Sequence, residues 1–244
     1  MNHKKSAIAL LALLLALAKA NTGVNTVNEI PDPKWDPSLT AVVNDYVDKT
    51  IDKLIPFLIN NGLEPMELPD VEEGFSVSPL WITYSARLKI HDGSMTGITN
   101  VVRSGDQIVK YIAKMLRVRV QLKFNDLEFV YKYLVKVMNL GPTGGIVGSL
   151  SSFIVTTDVL IDFNNDEIHL QQFTLSDIGR LRVRLTGNIL FDWLINPVIR
   201  TFTLIFDNVI MNVVAANIRS ALQGGIDVIN SNIKDLISAI EAHN

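Results

Sequence analysis

Few residues in this chain have the type and spacing that chemistry demands. Asp162-x-Asn164-x-Asp166 opens like a calcium loop, but Glu167 stands at its sixth position, where glycine is needed. Phe173 occupies the twelfth, where a bidentate glutamate is needed, so the segment reads as a hairpin turn. His91 and His169 lie beside turns with no partner at metal-ligand spacing. Gly145-Ile146-Val147-Gly148-Ser149 misplaces the serine of a nucleophile elbow. Pro142-Thr143-Gly144-Gly145 lacks the lysine of a phosphate loop and reads as a flexible loop. Cysteine is absent, which removes thiolate metal sites and cysteine nucleophiles. The expectation is a protein that is not an enzyme and carries no cofactor and no metal.

Two side-chain patterns are left. Arg180, Arg182 and Arg184 alternate with apolar residues and so share one face of a strand, as do Arg117, Arg119 and Lys123. Such rows serve either as solvated outer faces that block edge aggregation or as sites for anionic lipid headgroups and bacterial glycolipid. The second pattern is apolar. Val47, Ile51, Leu54 and Leu58, with Tyr84 and with Phe191, Trp193, Leu194, Phe202, Phe206 and Ile210, are either plain core or the wall of a ligand cavity. These eleven are the candidate ligand-binding residues.

The elements that must position them follow from periodicity. Lys4 and Lys5, the apolar run from Ala7 to Ala18 and the small-x-small Ala18-Lys19-Ala20 mark residues 1–20 as a signal peptide. A membrane anchor would need ~20 apolar residues, more than this run supplies. Residues 21–244 are then one secreted domain, with 19 basic against 25 acidic residues. Asp36-Pro37 offers an N-cap and a proline at the first helical position, and apolar residues from Leu39 to Ile59 recur at helical spacing. That spacing predicts a helix of some two dozen residues, bent at Pro56 and stopped by Asn60-Asn61-Gly62.

The period then falls from 3.6 to 2. Strands are expected over 80–90, 116–124, 127–137 and 153–163, and further at 168–175 and 180–185. Turns are expected at His91-Asp92-Gly93, Asn125-Asp126 and Asn164-Asn165-Asp166. From Val198 to Gln223 the chain is apolar on most sides, so this last helix should be enclosed by protein; Arg200, Asp207 and Arg219 break it too often for a bilayer span. The arrangement that covers all these surfaces is an α+β fold, a long curved antiparallel sheet wrapped around two long helices, with a hollow running lengthwise between them.

The run Gly97-Ile98-Thr99-Asn100-Val101-Val102-Arg103-Ser104-Gly105-Asp106 and the end region from Gly187 to Ala221, with Asn196-Pro197 and the long apolar helix, resemble the group 7 dust-mite allergen family. That family belongs to the tubular lipid-binding superfamily, with the bactericidal/permeability-increasing proteins and the takeout and juvenile-hormone carriers. The resemblance implies a super-roll fold and a secreted, non-enzymatic binder of hydrophobic molecules. The amino-terminal cysteine pair of the hormone carriers is missing here, which favours the group 7 branch. A net charge of −3 gives no global attraction to nucleic acid. The expected partner is a fatty acid, terpenoid or pigment; the alternative is docking on lipid membranes or bacterial surfaces through a hydrophobic tip and the basic rows.

Overall fold

A computed structural model describes residues 39–138, 141–187 and 192–241. The expected signal peptide and the Asp36-Pro37 helix start lie outside these residues, as does Phe191.

Two strands run the length of the molecule. β7 (Met115–Val137, 23 residues) pairs antiparallel with β8 (Thr143–Asp162, 20 residues) from Met115↔Asp162 to Leu134↔Thr143. At about 3.3 Å per residue β7 alone spans roughly 75 Å. Shorter strands attach to its two halves. On one half β7 pairs with β4 (Tyr84–Thr96), which pairs with β2 (Met66–Leu68) and β3 (Val71–Val77), while β8 takes β10 (Leu181–Thr186). On the other half β7 pairs with β5 (Val101–Arg103) and β6 (Ile108–Ile112), β6 carries β1 (Leu39–Val42), and β8 takes β9 (Glu167–Ser176). The result is one open, ten-stranded antiparallel sheet.

Helices cover its inner face. The first helical segment is α1 (Asn44–Thr50), a 3-10 turn over Ile51–Leu54, and α2 (Ile55–Asn60). The second is α3 (Asp192–Ile205), a π-turn over Phe206–Ile210, and α4 (Met211–Glu241). This is the α+β architecture expected from the two periods. In detail the first helix differs from expectation. It begins at Asn44, because Leu39–Val42 pairs with Ile108–Tyr111 as β1, and it breaks before Pro56, which sits in the first turn of α2, where no N–H is required.

The expected turns at Asp92 and Asn125-Asp126 do not reverse the chain. Asp92 (φ 53) and Asp126 (φ 51) adopt the left-handed conformation that aspartate tolerates, and the strands continue past them as a bulge in β4 and a kink in β7. Only Asn164-Asn165-Asp166 makes a hairpin, where the Asp162 carboxylate accepts from the Asn164 N–H (2.8 Å) and the Asn165 side chain (2.9 Å). Thr143-Gly144-Gly145, expected as a loop, opens β8. Glycine is needed there because a Cβ on Gly144 would strike the Thr186 carbonyl oxygen and the Tyr133 ring.

Nor is the last helix fully enclosed. Leu204 is 53% exposed and Val209 37%, because an open sheet covers one side of a helix and leaves the other to solvent. By length and composition Asp192–Lys234 could cross a membrane, yet Leu194, Val198, Phe202, Ile205, Ile210, Val214 and Ile218 recur at helical spacing and are buried in the fold.

Close approach fixes one inner position. Gly148 on β8 lies under the Phe129 ring, and a Cβ there would collide with that ring and with the Arg182 carbonyl oxygen. Replacing Gly148 with valine should destabilise the fold by about 1–3 kcal/mol, read as a lower midpoint in chemical unfolding; an unchanged midpoint would show that this contact does not constrain the sheet.

Candidate functional site

The two halves of the sheet are filled differently. Under α3, Phe202 and Phe206 sit one turn apart and pack on Phe129 and Tyr131, alternate inward residues of β7. Ring centroids lie 5.6 Å apart for Phe129–Phe202, 5.0 Å for Phe129–Phe206 and 5.9 Å for Tyr131–Phe202. Burial of the Tyr131 hydroxyl, which donates to the Pro69 carbonyl at 3.1 Å, pushes its pKa well above the ordinary tyrosine value. These rings fill the space between α3 and β7, and beside them a groove open to solvent runs between α3 and β3, lined by Phe75, Thr201, Leu204 and Ile205.

The other half holds an apolar slot. Its floor is β7 (Val120, Leu122, Phe124) and β8 (Val155, Thr157, Val159), residues at period 2 on one sheet face. Leu54, Phe57 and Leu58 of the first helical segment form one wall. Ile218, Leu222 and Ile226 of α4, spaced four apart on one helix face, form the other. Phe124, stacked on its cross-strand partner Phe153 at 5.0 Å, closes the end nearer the aromatic half. The Thr157 hydroxyl is the single side-chain polar group in the lining. A buried water needs two to four polar partners, so the slot stays dry and favours an apolar guest. Its volume is about 70 Å³.

The walls are held by polar contacts outside the slot. Arg103 on β5 grips the Asp48 carboxylate through Nε (2.7 Å) and Nη2 (3.0 Å), and holds that carboxyl below its usual pKa range. Asn44 bonds to Asp106 and to the Gln107 N–H. The Gln107 side chain is fully buried and bonds to both backbone groups of Gln121. Glu64 accepts from the Gly97 and Thr99 N–H groups. The run Gly97 to Asp106 therefore braces the first helical segment against the sheet.

The opposite wall is latched at the sheet's edge. Among the described residues β9 has no outer strand, and Asn230 of α4 takes that place: its amide oxygen accepts from the Ile168 N–H and its NH₂ donates to the Ile168 carbonyl, both at 2.8 Å. Lys234 pairs with Glu167 at 2.6 Å. Gly224 and Gly225 lie between the slot-lining Leu222 and this latch, and Gly is the weakest link in a helix interior.

Of the candidate residues, Leu54 and Leu58 line the slot. Val47 is buried and Ile51 half-buried on the same segment, outside the lining. Phe202 and Phe206 belong to the aromatic half, with Ile210 and Leu194 buried along the same helix; Tyr84 is half-buried and Trp193 is 38% exposed. The ten of these residues that are described do not gather at one site. Val120, Leu122, Val155, Val159 and Ile226 were legible as inward-facing residues, but the pairing register that sets them opposite α2 was not. The row Arg117, Arg119 and Lys123 lies on the outer face of the β7 segment that floors the slot, and the β10 row lies on the other half of the sheet. Arg117 is committed to Asp158, a side chain almost fully buried, while Arg182 and Arg184 face outward on β10.

The site is thus an open antiparallel sheet bearing two helical segments, with a dry apolar slot between them on one half. The chain belongs to the Group 7 allergen family, whose model matches residues 42–225, about three quarters of the sequence. Among solved structures it is similar to Takeout 1 of Epiphyas postvittana, with 14% identity and a TM-score of 0.45 over 75% of this chain and 90% of that one. It is also similar to a lipopolysaccharide binding protein, with 14% identity and a TM-score of 0.47 over 81% of this chain and 41% of that longer one. No curated protein matches the sequence.

Replacing Asn230 with alanine strands both backbone groups of Ile168 and should cost about 1–3 kcal/mol, with faster hydrogen exchange at the Ile168 amide. Unaltered protection of that amide would mean that Asn230 latches nothing. Acid should act in the same direction. Hydrogen bonding and attraction from Lys234 hold the Glu167 carboxyl below its usual range, so the pair is complete at neutral pH and is lost as pH falls through that lowered pKa. Protection of the Ile168 amide, taken relative to its intrinsic exchange rate at each pH, should fall there in the parent chain and not in Lys234→Ala.

Proposed function

We propose that this chain is a secreted, non-enzymatic carrier that shields a hydrophobic small molecule, such as a fatty acid, terpenoid or pigment, from water. One observation supports this reading above the others: a slot whose lining is apolar except for Thr157 has nothing to offer water and much to offer a hydrocarbon. Burial at ~25 cal/mol per Å² supplies affinity with few hydrogen bonds, less the entropy of association.

The magnitude adds a condition. An engineered cavity of about 150 Å³ is what benzene occupies in a protein core. At about 70 Å³ the resting slot is smaller, so a lipid-sized guest requires its walls to part. The wall that yields is α4, held on the sheet by Asn230 and Lys234 and interrupted at Gly224-Gly225. The first segment, braced by Arg103, Asn44 and Gln107, stays. Guest entry is then coupled to displacement of the outer part of α4.

Organic extraction of natively purified protein followed by mass spectrometry should recover a stoichiometric lipophile. Leu122→Trp places an indole in the slot and should weaken uptake of an apolar fluorescent fatty acid at least about tenfold, whereas Phe206→Leu in the aromatic half should leave it within about twofold. A clean extract together with uptake indifferent to Leu122→Trp would end the carrier reading.

A further inference from the structure

One end of the sheet carries apolar side chains that the slot does not use. Trp81 is 100% exposed, Met138 70% and Ile82 56%. Trp81 and Ile82 lie in the connection from β3 to β4, and Met138 follows the last residue of β7. The registers Val77↔Tyr84 and Ala86↔Val137 bring the two connections to the same end. The Trp81 loop is closed on itself: Ser78 and Thr83 share a hydroxyl hydrogen bond at 3.0 Å, and the Ile82 N–H donates to the Pro79 carbonyl at 3.2 Å. Trp81 itself takes a left-handed backbone (φ 66), unusual for so bulky a residue. Its indole thus stands in water at the tip of a short, closed loop, where no fold stability explains it.

Behind this tip the outer face is basic. Arg87 on β4 lies directly opposite Lys136 on β7, a like-charge pair that destabilises a ladder. Lys89 and Lys132 stand on the next rungs, and among the described residues only Glu72 (to Arg87, 3.2 Å) and Asp92 (to Lys132, 3.0 Å) form ion pairs with these four cations. Arg87 and Lys136 sit two residues behind Met138, about 7 Å along the strand, which is comparable to the depth of a lipid headgroup layer.

We propose that this end docks on an anionic lipid bilayer, with Trp81, Ile82 and Met138 entering the interface and Arg87 and Lys136 resting among the headgroups. Indole rings favour that interface, and each nearby cation gains from an anionic surface. A protein partner fits less well. Three side chains on convex turns bury far less than the roughly 1,000 Å² of a specific protein contact, whereas a lipid phase deforms around a small convex tip.

The test uses the mature chain and sedimentation with vesicles of phosphatidylcholine alone or of equimolar phosphatidylcholine and phosphatidylserine. The parent protein should bind the mixed vesicles more tightly than the neutral ones. Trp81→Ser with Met138→Ser should weaken binding to mixed vesicles at least about tenfold, and Lys136→Glu should erase the preference for phosphatidylserine. Arg182→Ala with Arg184→Ala, on β10 away from the tip, should change binding less than about twofold. Parent-like binding by the Trp81/Met138 variant, loss confined to the Arg182/Arg184 variant, or parent binding to lipopolysaccharide with none to either vesicle would each overturn the proposal. All the altered side chains are exposed, so fatty-acid uptake by the slot should be unchanged and reports the carrier reading separately.

Discussion

The antiparallel ladder between β7 and β8 is the constraint on which both halves of the molecule depend. It fixes which residues face inward along the full length of the sheet, from Leu116 and Ile161 at one end to Tyr133 and Gly144 at the other. A slip of one residue would turn Val120, Leu122, Val155 and Val159 to solvent and destroy the slot floor. Such a slip is resisted by the stacked pair Phe124–Phe153 and by the absence of a Cβ at Gly148, since each requires its partner directly across the ladder.

Upon that common spine, one continuous helical run produces two opposite outcomes. Where it presents phenylalanines one turn apart, at Phe202 and Phe206, the rings reach the sheet and interdigitate with Phe129 and Tyr131. Where it presents Ile218, Leu222 and Ile226, shorter side chains stop short and a dry gap is left. The change falls near the π-turn at Phe206–Ile210, whose extra residue shifts the face that the helix turns to the sheet. Residue size thus decides whether the helix closes on β7 or leaves a slot above it.

Alternation along β4, β7 and β8 and the apolar stripes of the helices were readable directly, because burial of one face imposes a period that single residues display. What Asp92 and Asp126 would do was not. A turn-forming residue reverses a free chain, but within a strand paired on both flanks the ladder absorbs it as a bulge or a kink. The first helix was overextended at its start for a related reason: Leu39 and Val42 satisfy helical spacing equally well, and only the presence of β6 makes them a strand. The candidate residues lie on apolar stripes, and a stripe does not distinguish side chains that fill space from those that border a gap. Leu54 and Leu58 line the vacancy; Phe202 and Phe206 remove it. Locating a gap requires knowing which small residues stand opposite one another, and that information resides in long-range register.

The most direct measurement is methyl NMR of the Ile, Leu and Val side chains during titration with a fatty acid. Saturable shifts are expected at Leu58, Leu122, Val155, Leu222 and Ile226, with Leu194 and Val198 under the aromatic half unmoved. Shifts confined to the aromatic half, or none in either half, would overturn the slot as the guest's site.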